Sequence, residues 1–305
     1  MTAPPAEVVV ILNPKSGSGS HGDTVRQRAD ELGYALAETD TDGDAVALAA
    51  AAAERGVSTL VAAGGDGTVN EVIRGIRRAD AFDRVTLGVV PAGTGNNFAK
   101  QLGIADVATA FDVVDSGERR RIDVGLANGH LFVNSCVAGL TADSSSKTSP
   151  AMKQRFGVLA YVVTTLRTVS DFESLRLSVA IDGREPSDPE WTGDALAVLI
   201  GNARKFGPSK NGPANVEDGL FDVAVIDDVP VLSLMSDAIV ERLLGRDSAY
   251  ITRFQARSLA VEITTPSSVR FSLDGEIIQE RALTFENLPR TLSVAVGERY
   301  GRAPD

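Results

Sequence analysis

Thr59-Leu60-Val61-Ala62-Ala63-Gly64-Gly65-Asp66-Gly67-Thr68-Val69-Asn70-Glu71-Val72-Ile73 joins an apolar run to a helical pattern through a glycine turn that contains an acid. A strand, a glycine turn and a helix start form an anion site, because backbone N–H groups point outward and the helix dipole favours negative charge. A carboxylate in such a turn repels phosphate unless a cation or a transferred proton is involved. The stretch therefore reads as phosphoryl chemistry rather than passive nucleotide binding. Thr68-x-x-Glu71 also fits a capping box, which fixes the helix start at Thr68.

The pattern extends outward on both sides. Residues 7–12, 34–38, 57–63 and 85–90 read as strands, and 23–32, 45–55, 68–78, 98–102 and 107–114 read as helices. Strands alternating with helices of this length predict βαβ units around a parallel sheet. Near residue 120 the rhythm changes: 121–127 and 130–133 flank Asn128-Gly129, a strong hairpin signal. Further strand-like runs cover 175–181, 195–200, 221–226, 259–263 and 269–273, interrupted by helical patterns at 153–168 and 232–244. The predicted fold class is an α/β N-terminal domain with a parallel sheet, plus a mainly antiparallel β-sandwich second domain. The division falls at 1–122 and 123–290, with 291–305 able to complete the first domain. The segment 182–191, rich in Pro and Asp, reads as an exposed loop.

The chain has 305 residues, enough for two cores, with 43% hydrophobic and 23% charged residues. No run reaches the length of a membrane span, and 1–7 lack the basic flank of a secretory signal. Cys136 is the single cysteine, which excludes an internal disulfide and fits a reducing cytoplasm. With only His21 and His130, a histidine metal site or a Ser-His-Asp triad is excluded as a leading reading. The net charge of −11 argues against nonspecific nucleic-acid binding, and any contact with an anionic membrane must use a local basic patch.

In a parallel sheet, ligands gather at the carboxyl ends of the strands. Three exits there are rich in small or amide residues: Asn13-Pro14-Lys15-Ser16-Gly17-Ser18-Gly19, then Gly64 to Thr68, then Pro91-Ala92-Gly93-Thr94-Gly95-Asn96-Asn97. One such turn alone is ordinary connection, whereas three converging favour a phosphate site. Gly17-x-Gly19-x-x-Gly22, followed by Asp40 and Asp42, imitates a dinucleotide fingerprint. Asn13-Pro14 separates that strand from its glycines, which weighs against it. No P-loop signature occurs.

Asn13-Pro14-Lys15-Ser16-Gly17, Gly64-Gly65-Asp66-Gly67-Thr68-Val69-Asn70-Glu71 and Pro91-Ala92-Gly93-Thr94-Gly95-Asn96 resemble, in order and spacing, the diacylglycerol kinase catalytic family. That family includes bacterial soluble lipid kinases and the sphingosine and ceramide kinase relatives, and its fold is NAD kinase/diacylglycerol kinase-like. Asp218-Gly219-Leu220-Phe221-Asp222-Val223 and Asp274-Gly275-Glu276 look like further landmarks, so the resemblance covers nearly the whole chain. It implies ATP and Mg2+ as cofactors, with lipid entering the β-rich half. On matching positions, Asn13, Pro14, Lys15, Ser16 and Gly17 hold ATP, as do Gly64, Gly65, Asp66, Gly67, Thr68, Asn70 and Glu71. Gly93, Thr94 and Asn96 of the third loop join them, and Thr39 adds a hydroxyl contact or is an ordinary strand-end residue. Asp66 organises the magnesium-bound nucleotide.

Read from its residues, Asp274-Gly275 is a hairpin turn and Glu276 a solvated strand residue. The resemblance makes Glu276 the general base for the lipid hydroxyl, with Asp274 assisting or shaping the turn. It likewise makes Asp218 a ligand of a structural magnesium, with Asn215 and Leu220 beside it and Asp123 extending the network. Relatives usually carry an Asp where this chain has Asn97, and the segment 207–212 departs from the usual glycine spacing.

For contact with a membrane surface, Lys147, Lys153 and Arg155 precede an apolar helix, and Arg204-Lys205 form a small cluster. Arg119-Arg120-Arg121 read as a solvated face, and Cys136 and Trp191 as structural. The expected activity is ATP-dependent phosphorylation of a lipid hydroxyl, with diacylglycerol leading and sphingoid or ceramide lipids open. The rivals are an NAD kinase and a non-catalytic lipid-binding module. The expected location is cytoplasmic with transient contact at the inner membrane face, and a homodimer is left open.

Overall fold

The computed structural model describes residues 7–17, 21–139, 174–182, 190–206, 214–228, 248–265 and 268–301. The chain divides into unit 1, Met1–Val124 with Pro289–Ala303, and unit 2, Gly125–Leu288 with Pro304–Asp305. The helical patterns at 153–168 and 232–244, with Lys147, Lys153 and Arg155, lie outside the described residues.

Unit 1 alternates β1 (Val8–Leu12), α1 (Gly22–Glu31), β2 (Ala35–Glu38), α2 (Asp44–Glu54), β3 (Thr59–Gly64), α3 (Asp66–Arg78) and β4 (Thr86–Pro91). Two more helices follow, α4 (Asn97–Gln101) and α5 (Val107–Ser116), and then β5 (Glu118–Ala127) begins. Its sheet runs β4-β3-β1-β2, parallel throughout. The last strand among the described residues, β15 (Ala282–Val296), adds beside β4 in parallel, with Ser293 against Thr86 and Val294 against Leu87. β3 is buried along its whole length, as a strand covered by helices on both faces must be. Register fixes the useful end: Leu12 lies beside Ala63 and Gly64 beside Pro91, so the exits of β1, β3 and β4 stand side by side.

Unit 2 is antiparallel and sandwich-like. Its strands are β6 (His130–Phe132), β7 (Ser135–Ala138), β8 (Leu175–Ile181), β9 (Trp191–Gly201), β10 (Phe221–Asp227), β11 (Ile251–Ala256), β12 (Ser258–Ile263), β13 (Val269–Leu273) and β14 (Glu276–Glu280). The order is β14-β13-β7-β9-β8-β12-β15, with β10 on β9 and β11 on β10. β9 is buried at every residue from Ala195 to Gly201, on both faces of the strand. Asn128 and Gly129 both have positive φ, the geometry of the tight hairpin that their sequence predicts between β5 and β6.

Three phenylalanines centre this core: Phe132 stacks on Phe221 at 5.6 Å, and Phe285 meets both edge-on at 6.1 and 6.5 Å. All three are fully buried. Phe132→Ala is expected to cost about 3–5 kcal/mol, read as a lower urea midpoint, since the cavity cannot collapse among rigid rings.

The arginine triplet is not simply solvated. Arg119 donates to the carbonyls of Val113, Val114 and Gly117 at the end of α5, and Arg121 to those of Arg290 and Thr291. A planar guanidinium can collect several carbonyls at a helix end; here the Val113 carbonyl also accepts the Gly117 N–H.

Candidate functional site

Hydrogen bonds join the three loops of unit 1. The Asn13 side-chain amide donates to Thr68 Oγ1 at 3.3 Å, linking the first loop to α3. Asn13 Oδ1 accepts from the Lys15 N–H, an Asx turn that shapes the exit of β1. Lys15 Nζ rests on the Asp40 carbonyl at 2.6 Å, next to Thr39, which is buried and donates its N–H to Leu12. Gly17 has φ +61°, and a methyl group there would stand 2.7 Å from the Ala92 carbonyl oxygen. A methyl on Gly93 would strike the backbone of Gly65. Both glycines are needed because main chain meets main chain. Gly17→Ala should therefore raise the KM for ATP on the order of 10-fold or more and lower stability, since strain and clash add; nucleotide titration and thermal unfolding read both.

Within the third loop, Asn96 adopts φ +48° and brackets Gly93: its Oδ1 accepts the Gly93 N–H and its Nδ2 donates to the Gly93 carbonyl. Lys100 Nζ donates to the Gly95 carbonyl at 2.8 Å. Thr94 is exposed at the tip, and Pro14 and Ser16 are half-buried in the first loop.

The capping box does not form. α3 starts at Asp66 rather than Thr68, behind an extended Gly65, and no side chain caps it. Thr68 Oγ1 is engaged by Asn13, and Glu71 turns away to accept the Gly43 N–H at the start of α2. Burial pushes the Glu71 carboxyl up from its usual range, offset partly by the Gly43 and Ala45 amides. Among the described residues no side chain caps α3, so its first-turn N–H groups can meet an outside anion. Gly67, exposed on that turn, has open space where a side chain would stand. These donors, glycines and the Lys15 ammonium fit a polyphosphate.

Asp66 joins two loops. Its Oδ2 accepts from the Asn97 N–H and from Asn97 Nδ2, both at 3.1 Å, and its Oδ1 accepts the Phe98 N–H at 2.9 Å. The carboxylate thereby caps α4 from across the site. An amide at position 97 can donate to it; a carboxylate there could not.

In unit 2, Asp274 and Gly275 form a two-residue turn with φ +51° and +101°, and Glu276 follows, exposed, at the start of β14. The Asp274 carboxylate accepts three consecutive backbone N–H groups, from Val133 (2.7 Å), Asn134 (2.9 Å) and Ser135 (2.8 Å). It shapes the turn through these bonds. Asp218 Oδ1 accepts the Leu220 N–H, and Asn215 Oδ1 the Glu217 N–H, so both side chains fold their own loop. Burial pushes the Asp218 and Asp222 carboxyls up, and Lys205 opposes the rise in both. One carboxylate with loop carbonyls suits a hard cation. Among the described residues, no group of three or more His, Cys, Asp or Glu side chains is placed to hold a metal. Asp123, fully buried in unit 1, accepts the Arg290 N–H at 2.7 Å and so holds a residue of positive φ.

Residues 7–127 match the family model of the diacylglycerol kinase catalytic domain, and 134–296 that of the YegS C-terminal NAD kinase beta sandwich-like domain. A "Probable lipid kinase YegS-like" protein of Pseudomonas aeruginosa is 33% identical over 243 residues, 78% of this chain and 76% of the relative. The "Diacylglycerol kinase" of Bacillus subtilis is 29% identical over 300 residues, 94% and 95% of the two chains. A crystal structure of a diacylglycerol kinase from Bacillus anthracis str. Sterne shares the fold, with a TM-score of 0.70 at 21% identity over 98% of this chain and 100% of that one. The chain belongs to the diacylglycerol kinase catalytic family and is a lipid kinase by class. ATP use comes with that family, usually with a divalent metal. No helix among the described residues is long and apolar enough to cross a membrane.

The sequence missed Asn97 as the partner of Asp66, and missed the Val133–Ser135 backbone, Asn202 and Asn287 altogether. Asn97 carried a signal, the second of two amides closing a glycine loop. Asn202 and Asn287 carried none.

Proposed function

We propose that this protein transfers the γ-phosphate of ATP to a lipid hydroxyl, with diacylglycerol the leading acceptor and phosphatidic acid the product. The observation that carries the reading is the uncapped start of α3 set among three touching glycine loops. Such a cradle binds phosphate through main-chain N–H groups and the helix dipole. Mg2+ bound with ATP would neutralise charge on the transferred group. Lys15, whose Nζ rests on the Asp40 carbonyl, would turn to a phosphate oxygen. Asp66, braced by the start of α4, holds the second and third loops in one geometry. Glu276, exposed at the start of β14, accepts the proton of the attacking hydroxyl. Asp218, with Asn215 and the Leu220 carbonyl, would hold a structural Mg2+. Lipid is taken from a membrane surface by peripheral contact.

The test is labelled-phosphate transfer from ATP to diacylglycerol, ceramide, sphingosine and NAD, with the lipids in mixed micelles and Mg2+ present. Labelled phosphatidic acid supports the reading. Label on ceramide or sphingosine alone moves the substrate within the lipid class, and label on NAD alone overturns it.

A further inference from the structure

The turn that carries Glu276 is the end of a chain of buried amides. Asp274 accepts the N–H groups of Val133, Asn134 and Ser135, and its own N–H donates to the Ser135 carbonyl at 3.0 Å. That three-residue stretch is itself held from behind. Asn202 Nδ2 donates to the Val133 carbonyl at 3.0 Å, the Asn202 N–H to the Asn134 carbonyl at 2.9 Å, and the Ala203 N–H to the Val133 carbonyl at 3.0 Å. Behind Asn202 stands Asn287, whose Nδ2 donates to Asn202 Oδ1 at 3.2 Å. Asn134 and Asn202 are 2% exposed and Asn287 3%, so this is an interior polar path inside an apolar sandwich.

Burying amides is a poor way to gain stability, and here two side-chain oxygens, Asn134 Oδ1 and Asn287 Oδ1, have no donor among the described residues. Apolar residues of similar size would fill the space without leaving acceptors unmet. What the amides supply instead is direction. Each fixes one backbone carbonyl or side-chain oxygen, and together they fix the position of the stretch that grips Asp274.

We propose that Asn202 and Asn287 are positioning residues that act through the 133–135 backbone and Asp274 to hold the turn bearing Glu276. Asp274 accordingly acts by geometry rather than by proton transfer. The proposal rests on Glu276 being the general base.

The test compares Asn202→Ala, Asn287→Ala, Asp274→Asn and Glu276→Gln in the full-length protein. It measures kcat, the KM for ATP and the pH–rate profile with diacylglycerol in mixed micelles, and checks the fold by circular dichroism. Misplacing a reacting group by about 1 Å costs on the order of 10²-fold. Folded Asn202→Ala and Asp274→Asn are expected to lose kcat by roughly 10–100-fold with an unchanged KM for ATP and an unchanged acidic limb of the profile. Asn287→Ala removes one hydrogen bond and is expected to show the same split at smaller size, which keeps the test decisive if Asn202→Ala fails to fold. If Asn287→Ala and Asp274→Asn keep the parental kcat while Glu276→Gln is inactive, the positioning network is wrong and the base stands. Loss of the acidic limb in Asp274→Asn overturns the positioning role in favour of proton transfer. Full activity of Glu276→Gln instead removes the base on which the proposal rests.

Discussion

Glu276→Gln is expected to lower kcat on the order of 10²–10⁴-fold while ATP binds as before. Glutamine has the shape of glutamate and makes hydrogen bonds, but it cannot take a proton from an attacking hydroxyl. The side chain is exposed at the start of β14. It leaves the Asp274-Gly275 turn and its three N–H contacts in place. Isothermal titration with a non-hydrolysable ATP analogue, alongside turnover with diacylglycerol, separates binding from chemistry. Turnover at the parental rate would show that another group accepts the proton.

Asp66→Ala is expected to damage both turnover and stability. Three N–H donors, two on Asn97 and one on Phe98, lose a charged acceptor together. A hydrogen bond to a charged group is worth about 1.5–3 kcal/mol, less where water replaces it, so a loss of about 2 kcal/mol overall is expected in chemical unfolding. The larger effect falls on catalysis. Without the carboxylate, α4 and the third loop are no longer tied to the start of α3, and kcat/KM for ATP should fall on the order of 10²-fold. Asp66→Asn should recover stability better than activity, because the amide oxygen accepts N–H groups but carries no charge. Parental activity in both variants would mean that Asp66 serves neither the nucleotide nor the loops.

The parallel unit was readable because its strands and helices are long relative to their turns, and because glycines mark every exit. Unit 2 was less so. Ser135–Ala138 is a four-residue strand hidden behind the β6 hairpin, and Ile251–Ala256 mixes apolar and charged residues on a half-buried surface. β15 lies beyond the last strand-like run that the sequence offers; within it Pro289 lacks an N–H and Arg290 stands at φ +48°, yet the strand continues on both sides. The phosphate cradle was legible from glycine spacing, since backbone approach demands glycine locally. The partner of Asp66 was not, because that bond spans 31 residues and follows from the fold. The same holds for Asn202 and Asn287, which meet across 85 residues. The capping box failed for the converse reason: a sound local motif was overruled when Asn13 and the α2 start claimed its two side chains.

The division between the units falls inside β5 and β15, at Val124 and Leu288, rather than in a linker. Excision at the obvious motif boundary is therefore self-defeating. A fragment stopping near residue 127 would strip Ser293 and Val294 from the flank of β4 and leave an apolar strand with unpaired main-chain groups. Such a fragment should self-associate in gel filtration, whereas co-expression with a peptide spanning 289–301 should restore a monodisperse species. Unit 1 is thus finished only once synthesis has passed Val294, so its folding on the ribosome must wait for the intervening strands of unit 2 to emerge.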